Sequence, residues 1–327
     1  MTGDFAHTRP LSELRTADED RFGGKSTSLG ELIAAEIPVP PGFAIATSAF
    51  HACLAAAGLD PSDATHEAVR TTEVPEDVRA EIAAAYAALG DDAPVAVRSS
   101  AVGEDSGEAT FAGQQETYLW VRGADGVCDA VRDCWASTYS APAMSYRAKM
   151  AADRRPEMGV TVQLMVDAAV SGVMFTCNPV SGDPSVVAID ASWGLGLGVV
   201  GGEVTPDQYL VSKVTGEVVK RTVSAKHVEY RADPSGRGTV CVPVDEARQS
   251  EPCLDDAQLA ALVDVARRVQ KYFGSHQDVE WALAGDGDLF VVQSRPVTAT
   301  GAAKTEQKPT SALSLVMSKF GAGGGGS

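Results

Sequence analysis

The run QDVEWALAGDGDLFVVQSR, Gln277–Arg295, decides the reading of this chain. Two short stretches rich in β-branched and aromatic residues, Gln277–Leu283 and Leu289–Arg295, flank the turn-forming Gly285–Asp288, the pattern of a β-hairpin. With a four-residue loop over Gly285–Asp288, Ala284 pairs with Leu289, and counting outward sets Glu280 opposite Gln293. Residues two apart share a face of a strand, so Arg295 projects beside Gln293, and Asp278 lies on the same face as Glu280. A carboxylate, an amide carbonyl and a guanidinium then share one patch. A hard cation such as Mg2+ takes oxygen ligands, and arginine takes the phosphates that such a cation bridges. The alternative is an ordinary surface ion pair between Glu280 and Arg295.

Upstream of the hairpin, a helix is expected near Ala257–Phe273, with Leu259, Leu262, Val263, Ala266 and Val269 on one face. Val160–Val166, Gly172–Thr176 and Val186–Asp190 read as buried strands bounded by Gly, Pro or Asp. The first of these, VQLMV, is either a core strand or a hinge lining an adenine pocket, where Gln163, Met165 and Val166 face the base. Trp193–Glu203 holds five glycines in eleven residues, too many for regular structure. It fits a loop close to a ligand, with Glu203 as a ribose or cation contact.

The first half alternates helices at Ser26–Glu36, Ser48–Gly58 and Pro75–Leu89 with strands in Pro38–Ala46 and Ala93–Arg98. The segment RFGGKSTSLGE, Arg21–Glu31, sets two glycines and Lys25 at a helix mouth, a place that attracts phosphate. It is not a Walker A loop, because Glu19 stands where that motif needs glycine, and an ordinary helix entry is the alternative. Arg98 closes a buried strand, which is costly unless an anion or an internal carboxylate meets it. The loop Ser99–Gly107, with Glu104 and Asp105, has the small, polar composition of a lid, and Phe111–Gln115 follows with an apolar tip, a glycine and paired amides. Helices interleaved with short strands indicate an α/β (α+β) class with two lobes.

Of 327 residues, 27 are basic and 44 acidic, a net charge of −17, which disfavours a nucleic-acid partner. The 44% hydrophobic content supplies a real core. No apolar run reaches the roughly 18 residues of a membrane span, and MTGDFAHTRP lacks the layout of a signal peptide. A cytoplasmic protein with no membrane partner is expected. The cysteines at 53, 128, 134, 177, 241 and 253 are scattered and are expected to be small buried hydrophobes.

Nine segments in order resemble one family. They are GGKSTSLGEL, VPVPPGFAI, AVRSSAVGED, FAGQQETYL, SYR (Ser145–Arg147), VQLMV, SGVMFTCNPVSGD, TPDQYLV and VEWAL…VVQSRPV, from about Gly23 to Val297. Together they resemble the ATP-binding region of the phosphoenolpyruvate synthase and pyruvate phosphate dikinase family, which includes rifampin phosphotransferase and phenylphosphate synthase. The resemblance implies an ATP-grasp-like, two-lobed fold, with lobes at 1–160 and 161–298 and a flexible tail or linker at 299–327. It implies ATP and Mg2+ as cofactors, Lys25, Arg98 and Arg295 as phosphate-contacting residues, Glu280 and Gln293 as Mg2+ ligands, and VQLMV as the adenine side. Two positions depart from the pattern: the family's GLGE ends in Leu197 here, and its RA before SYR is Pro142-Ala143.

None of the five histidines (His7, His51, His66, His227, His276) sits in a TxGGxxxHA-like motif. The resemblance therefore implies an ATP-binding subunit that passes phosphoryl or pyrophosphoryl groups to a histidine on a separate protein, giving AMP and phosphate. The resemblance to phenylphosphate synthase implies a small, phenolic acceptor. A module that senses ATP without catalysis is the competing expectation, favoured by Leu197 and Pro142.

Overall fold

The computed structural model describes residues 6–103, 116–149 and 156–297, and for 146–149 the backbone only. The proposed lid residues Glu104 and Asp105, the segment Phe111–Gln115, the side chain of Arg147 and the tail from 298 onward lie outside the described residues. The chain divides into two units. The first takes residues up to Ala34, Pro40–Met165 and Asp233–Gly238; the second takes Ala35–Val39, Val166–Ala232 and Thr239 onward.

In the first unit, β1 (Thr8–Pro10), β2 (Gly42–Ile45), β3 (Val95–Ala101), β4 (Thr117–Val121) and β5 (Met158–Leu164) form an antiparallel sheet ordered β1-β2-β5-β3-β4. Strand alternation sorts its side chains. Val95 and Val97 of β3 and Val160 and Val162 of β5 are buried in one core. That core also holds Phe50 and Leu54 of α3 (Thr47–Ala56), Ile82 of α5 (Glu76–Ala87) and Trp135 of α6 (Ala124–Ser137). The intervening positions, Arg98 and Ser100 of β3 and Thr161 of β5, belong to the other face. A short helix α1 (Glu19–Phe22) and the longer α2 (Gly24–Ala34) approach there. Two glycines permit the approach. A Cβ on Gly159 would lie 2.4 Å from the Phe22 carbonyl oxygen, and one on Gly23, whose φ is +79°, would lie 2.0 Å from that of Ser100. The remaining helices of this unit are α4 (His66–Arg70) and α7 (Ala141–Lys149), with Pro142 in the first turn of α7, where its missing N–H costs nothing.

In the second unit, β6 (Ala168–Phe175), β7 (Val186–Trp193), β8 (Asp207–Ser212), β9 (Val218–Thr222), β12 (Gln277–Ala284) and β13 (Leu289–Pro296) form a six-stranded sheet ordered β13-β12-β6-β7-β8-β9. A separate hairpin pairs β10 (Val228–Ala232) with β11 (Thr239–Pro243). The helices are α8 (Leu197–Val200), α9 (Glu246–Gln249) and α10 (Asp256–Phe273). Register places Val279, Met174, Ile189 and Tyr209 side by side as an apolar row, all buried. The next row is Gln293, Glu280, Val173, Asp190 and Gln208, on the opposite face. Helix α10 packs on β12. Its five expected apolar positions are buried, and an Asp255–Gln258 capping box and left-handed Gly274 close its ends.

The α/β class read from the sequence holds. Among the described residues, no helix is long and apolar enough to cross a membrane. Three expectations need correction. The glycine passage is not wholly irregular, because residues 197–200 close one helical turn with Gly201 N–H donating to the Leu197 carbonyl at 2.8 Å. The strand ending in Arg98 runs on to Ala101, because its pairing with β5 continues through Ser99, Ser100 and Ala101. Of the six cysteines, Cys241 is exposed on β11 and the other five are buried.

Candidate functional site

In the first unit, Gly23 turns the chain through positive φ against Ser100, so helix α2 begins on β3 with Lys25 as its second residue. Lys25 is 3% exposed, and its Nζ donates to the Ser99 carbonyl oxygen at 2.9 Å. Arg98, one residue before Ser99, is half-buried and pairs in register with Thr161 of β5 and Thr117 of β4. The two cations thus attach to neighbouring backbone positions, although 73 residues of sequence part 25 from 98. Gln163 is buried on β5, its Nε2 donating to the Pro40 carbonyl at 3.2 Å. Strand β5 ends at Leu164, so Met165 and Val166 lie in the connection to β6, where the Met165 N–H donates to the Pro94 carbonyl at 2.9 Å.

In the second unit, Glu280 pairs with Gln293 and Asp278 pairs with Arg295, as the sequence count requires, but by another route. Leu283, not Ala284, faces Leu289, so the turn spans Ala284–Asp288. A bulge between Glu280 and Trp281 restores the count. Arg295 donates to a single oxygen of Asp278, from Nε at 3.0 Å and Nη2 at 2.9 Å. The other oxygen, Oδ1, is buried without a hydrogen-bond partner among the described residues. Burial drives the Asp278 carboxyl up to about 6 from its ordinary 3.8. Arg295 opposes that rise and the neighbouring Glu280 adds to it. Gln293 is 7% exposed on the same face.

Glu203 sits beyond α8, exposed, and accepts a hydrogen bond from the Tyr230 hydroxyl of β10, which pushes that phenol up to about 12. His227 and His276 are ordinary polar residues: Nδ1 of His227 meets Gln249 Oε1 at 2.7 Å, and Nδ1 of His276 meets the Thr176 carbonyl at 3.1 Å.

Among the described residues, no group of three or more histidine, cysteine or acidic side chains is arranged to hold a metal unaided. The hairpin patch offers a different donor set, two carboxylates and an amide, with one carboxylate oxygen left orphaned in a dry place. That set fits a hard cation whose remaining ligands come from phosphate and water. Asp278 is the member of this patch whose importance the local sequence pattern does not show. Its alternation with Glu280 was visible, but its burial was not.

A family model described as pyruvate phosphate dikinase, AMP/ATP-binding domain, matches residues 19–314. A probable phosphoenolpyruvate synthase from Methanothermobacter thermautotrophicus is 40% identical over 341 residues, covering 96% of this chain and 49% of that relative. A rifampicin phosphotransferase from Streptomyces sp. is 41% identical over 312 residues (88% and 35%). The prodigiosin synthesizing transferase PigC of Serratia marcescens is 39% identical over 310 residues (93% and 34%). The chain spans about half the length of these curated relatives, or less. Among solved structures, D-alanyl-alanine synthetase A from Vibrio cholerae overlaps 86% of this chain and 55% of its own, with 11% identity and a TM-score of 0.34, too distant a likeness to argue from.

Proposed function

The chain belongs to the pyruvate phosphate dikinase AMP/ATP-binding domain family, and from that membership we propose that it is the ATP-binding part of a dikinase-type phosphotransferase with an ATP-grasp-like fold. Lys25, Arg98 and Arg295 contact the phosphates. Glu280 and Gln293, with Asp278 beside them, hold Mg2+. Gln163, Met165 and Val166 line the adenine, and Glu203 meets the ribose or the cation.

The observation that carries this reading is the hairpin patch. A buried carboxylate with one orphaned oxygen, a second carboxylate, an amide and a guanidinium stand in two adjacent registers of one sheet face. The orphaned Asp278 oxygen is costly without a ligand, and the set as a whole suits a cation-bridged polyphosphate. The bound cation neutralises charge on the phosphate oxygens. The protein's own residues do the positioning. Arg295 is oriented by Asp278, and Lys25 is held at a helix start, so both present fixed positive charge where negative charge develops on the transferred group.

The acceptor in this proposal is a histidine on a separate protein: either it takes the pyrophosphoryl group as AMP leaves and water then releases the outer phosphate, or it takes the β-phosphoryl group as AMP leaves and water takes the γ-phosphoryl group as phosphate, and the phosphohistidine passes its phosphoryl group to a small molecule such as a phenol. The names of the relatives, which include a rifampicin phosphotransferase, support diverse small acceptors in this family. The competing reading, an ATP sensor without catalysis, rests on Leu197 and Pro142, the two positions that depart from the pattern the sequence otherwise resembles. Incubation with labelled ATP and a co-purifying histidine-carrier protein separates them. Label on the carrier, with slow AMP formation when the carrier is left out, is expected. Rapid AMP formation by this chain alone contradicts the split arrangement, and an unlabelled carrier favours the sensor.

A further inference from the structure

We infer that Ser26, Ser100 and Thr161 form a buried positioning set that fixes Lys25 and Arg98 for a triphosphate, an inference that rests on the proposed role of those two cations. The three hydroxyls come from three elements: α2, β3 and β5. Each is completely buried. Ser26 Oγ lies 2.7 Å from Thr161 Oγ1 and 3.4 Å from Ser100 Oγ, and the Ser26 backbone N–H donates to Ser100 Oγ at 3.3 Å.

The placement of these groups matters more than their number. The Ser26 N–H is among the first of α2, which have no partner within the helix, so a strand from elsewhere in the sequence supplies its cap. Lys25 directly precedes Ser26. Its ammonium rides on a flexible stem, so the direction of the first helical turn sets where the charge arrives. Arg98 shares a face with Ser100, two residues on, and stands in register with Thr161. One hydroxyl cluster therefore touches the helix turn that carries one cation, the strand that carries the other, and a strand paired with it.

Stability alone does not explain the cluster. Replacing mutually bonded buried hydroxyls with apolar groups of the same shape is nearly neutral. A satisfied buried polar network instead selects one arrangement among several of similar packing. Here the arrangement selected is the seating of α2 on β3. A misplacement of about 1 Å can cost about 100-fold in rate, so a smaller shift of the two cations is expected to weaken triphosphate binding by about 10-fold.

The test uses the full chain and calorimetric titration with Mg-ATP and, separately, with AMP, which lacks the β- and γ-phosphates. Thr161→Val is expected to weaken Mg-ATP about 10-fold and to leave AMP unchanged, with a lowered thermal midpoint because the buried Ser26 hydroxyl loses its 2.7 Å partner; Thr161→Ser is expected to restore both ATP binding and the midpoint. Ser26→Ala carries the same expectation should Thr161→Val not fold. Lys25→Met is the control for the underlying reading. If Lys25→Met leaves Mg-ATP binding intact, the nucleotide assignment itself fails. If Lys25→Met weakens binding but Thr161→Val and Ser26→Ala do not, the positioning role fails alone. Parallel weakening of ATP and AMP also overturns it, since that is what a merely structural role gives.

Discussion

Asp278 illustrates how one residue acquires a property that its type does not supply. Its carboxyl ordinarily titrates near 3.8 and here near 6, because burial penalises the charge more than Arg295 relieves it. Below 3.8 both folded and unfolded states hold the proton and the contribution to stability is complete. As pH rises from 3.8 through about 6, the unfolded chain ionises first, and that contribution is lost. Asp278→Asn lacks this titration. With no divalent ion present, wild-type stability relative to Asp278→Asn is therefore predicted to fall between pH 4 and pH 7, by on the order of 2 kcal/mol. Urea midpoints at the two pH values check it, and a constant difference contradicts it. Alternation alone placed Asp278 on the Glu280 face. The depth that makes it a weak acid comes from β6 and its neighbours, which a local pattern does not report.

At the scale of elements, long periodic signals were readable. Helix α10 and the terminal hairpin appear where their patterns put them, and the Glu280–Gln293 pairing is correct. The hairpin also shows why such success is partly fortuitous. The turn is one residue longer than counted, and a bulge cancels the error, a compensation with no sequence signal. Lys226 had no signal either. It reads as one lysine in a polar run, yet it and Asp207 are both fully buried and paired at 2.6 Å. Asp207 also accepts from the backbone N–H groups of Ser224 at 2.9 Å and Cys253 at 2.8 Å, joining the start of β8 to two distant loops. Removing one partner of such a pair leaves an uncompensated buried charge. Lys226→Met is predicted to cost about 3 kcal/mol or more in urea unfolding. A loss below about 1 kcal/mol would show that the site relaxes or admits water.

At the scale of the whole molecule, an acidic chain of net charge −17 is expected to bind a polyanion. Its long-range field opposes that ligand, so affinity has to come from a few cations held in place and from a divalent ion brought along. These groups stand along the chain only as separate short motifs, and their order, rather than any one of them, points to a common ligand. The glycine passage shows the limit of composition as a guide, because its five glycines neither prevented a helical turn nor marked Glu203 as the partner of Tyr230. In the proposed function, the hairpin's oxygen ligands make nucleotide binding depend on a divalent cation. Titration of ATP, with and without magnesium, into the wild type, Glu280→Ala and Gln293→Ala tests it most directly. The wild type is predicted to bind at least about 10-fold more tightly with magnesium, and both variants to lose most of that gain. Equal affinity with and without the ion, or variants that keep the full magnesium effect, would contradict the account.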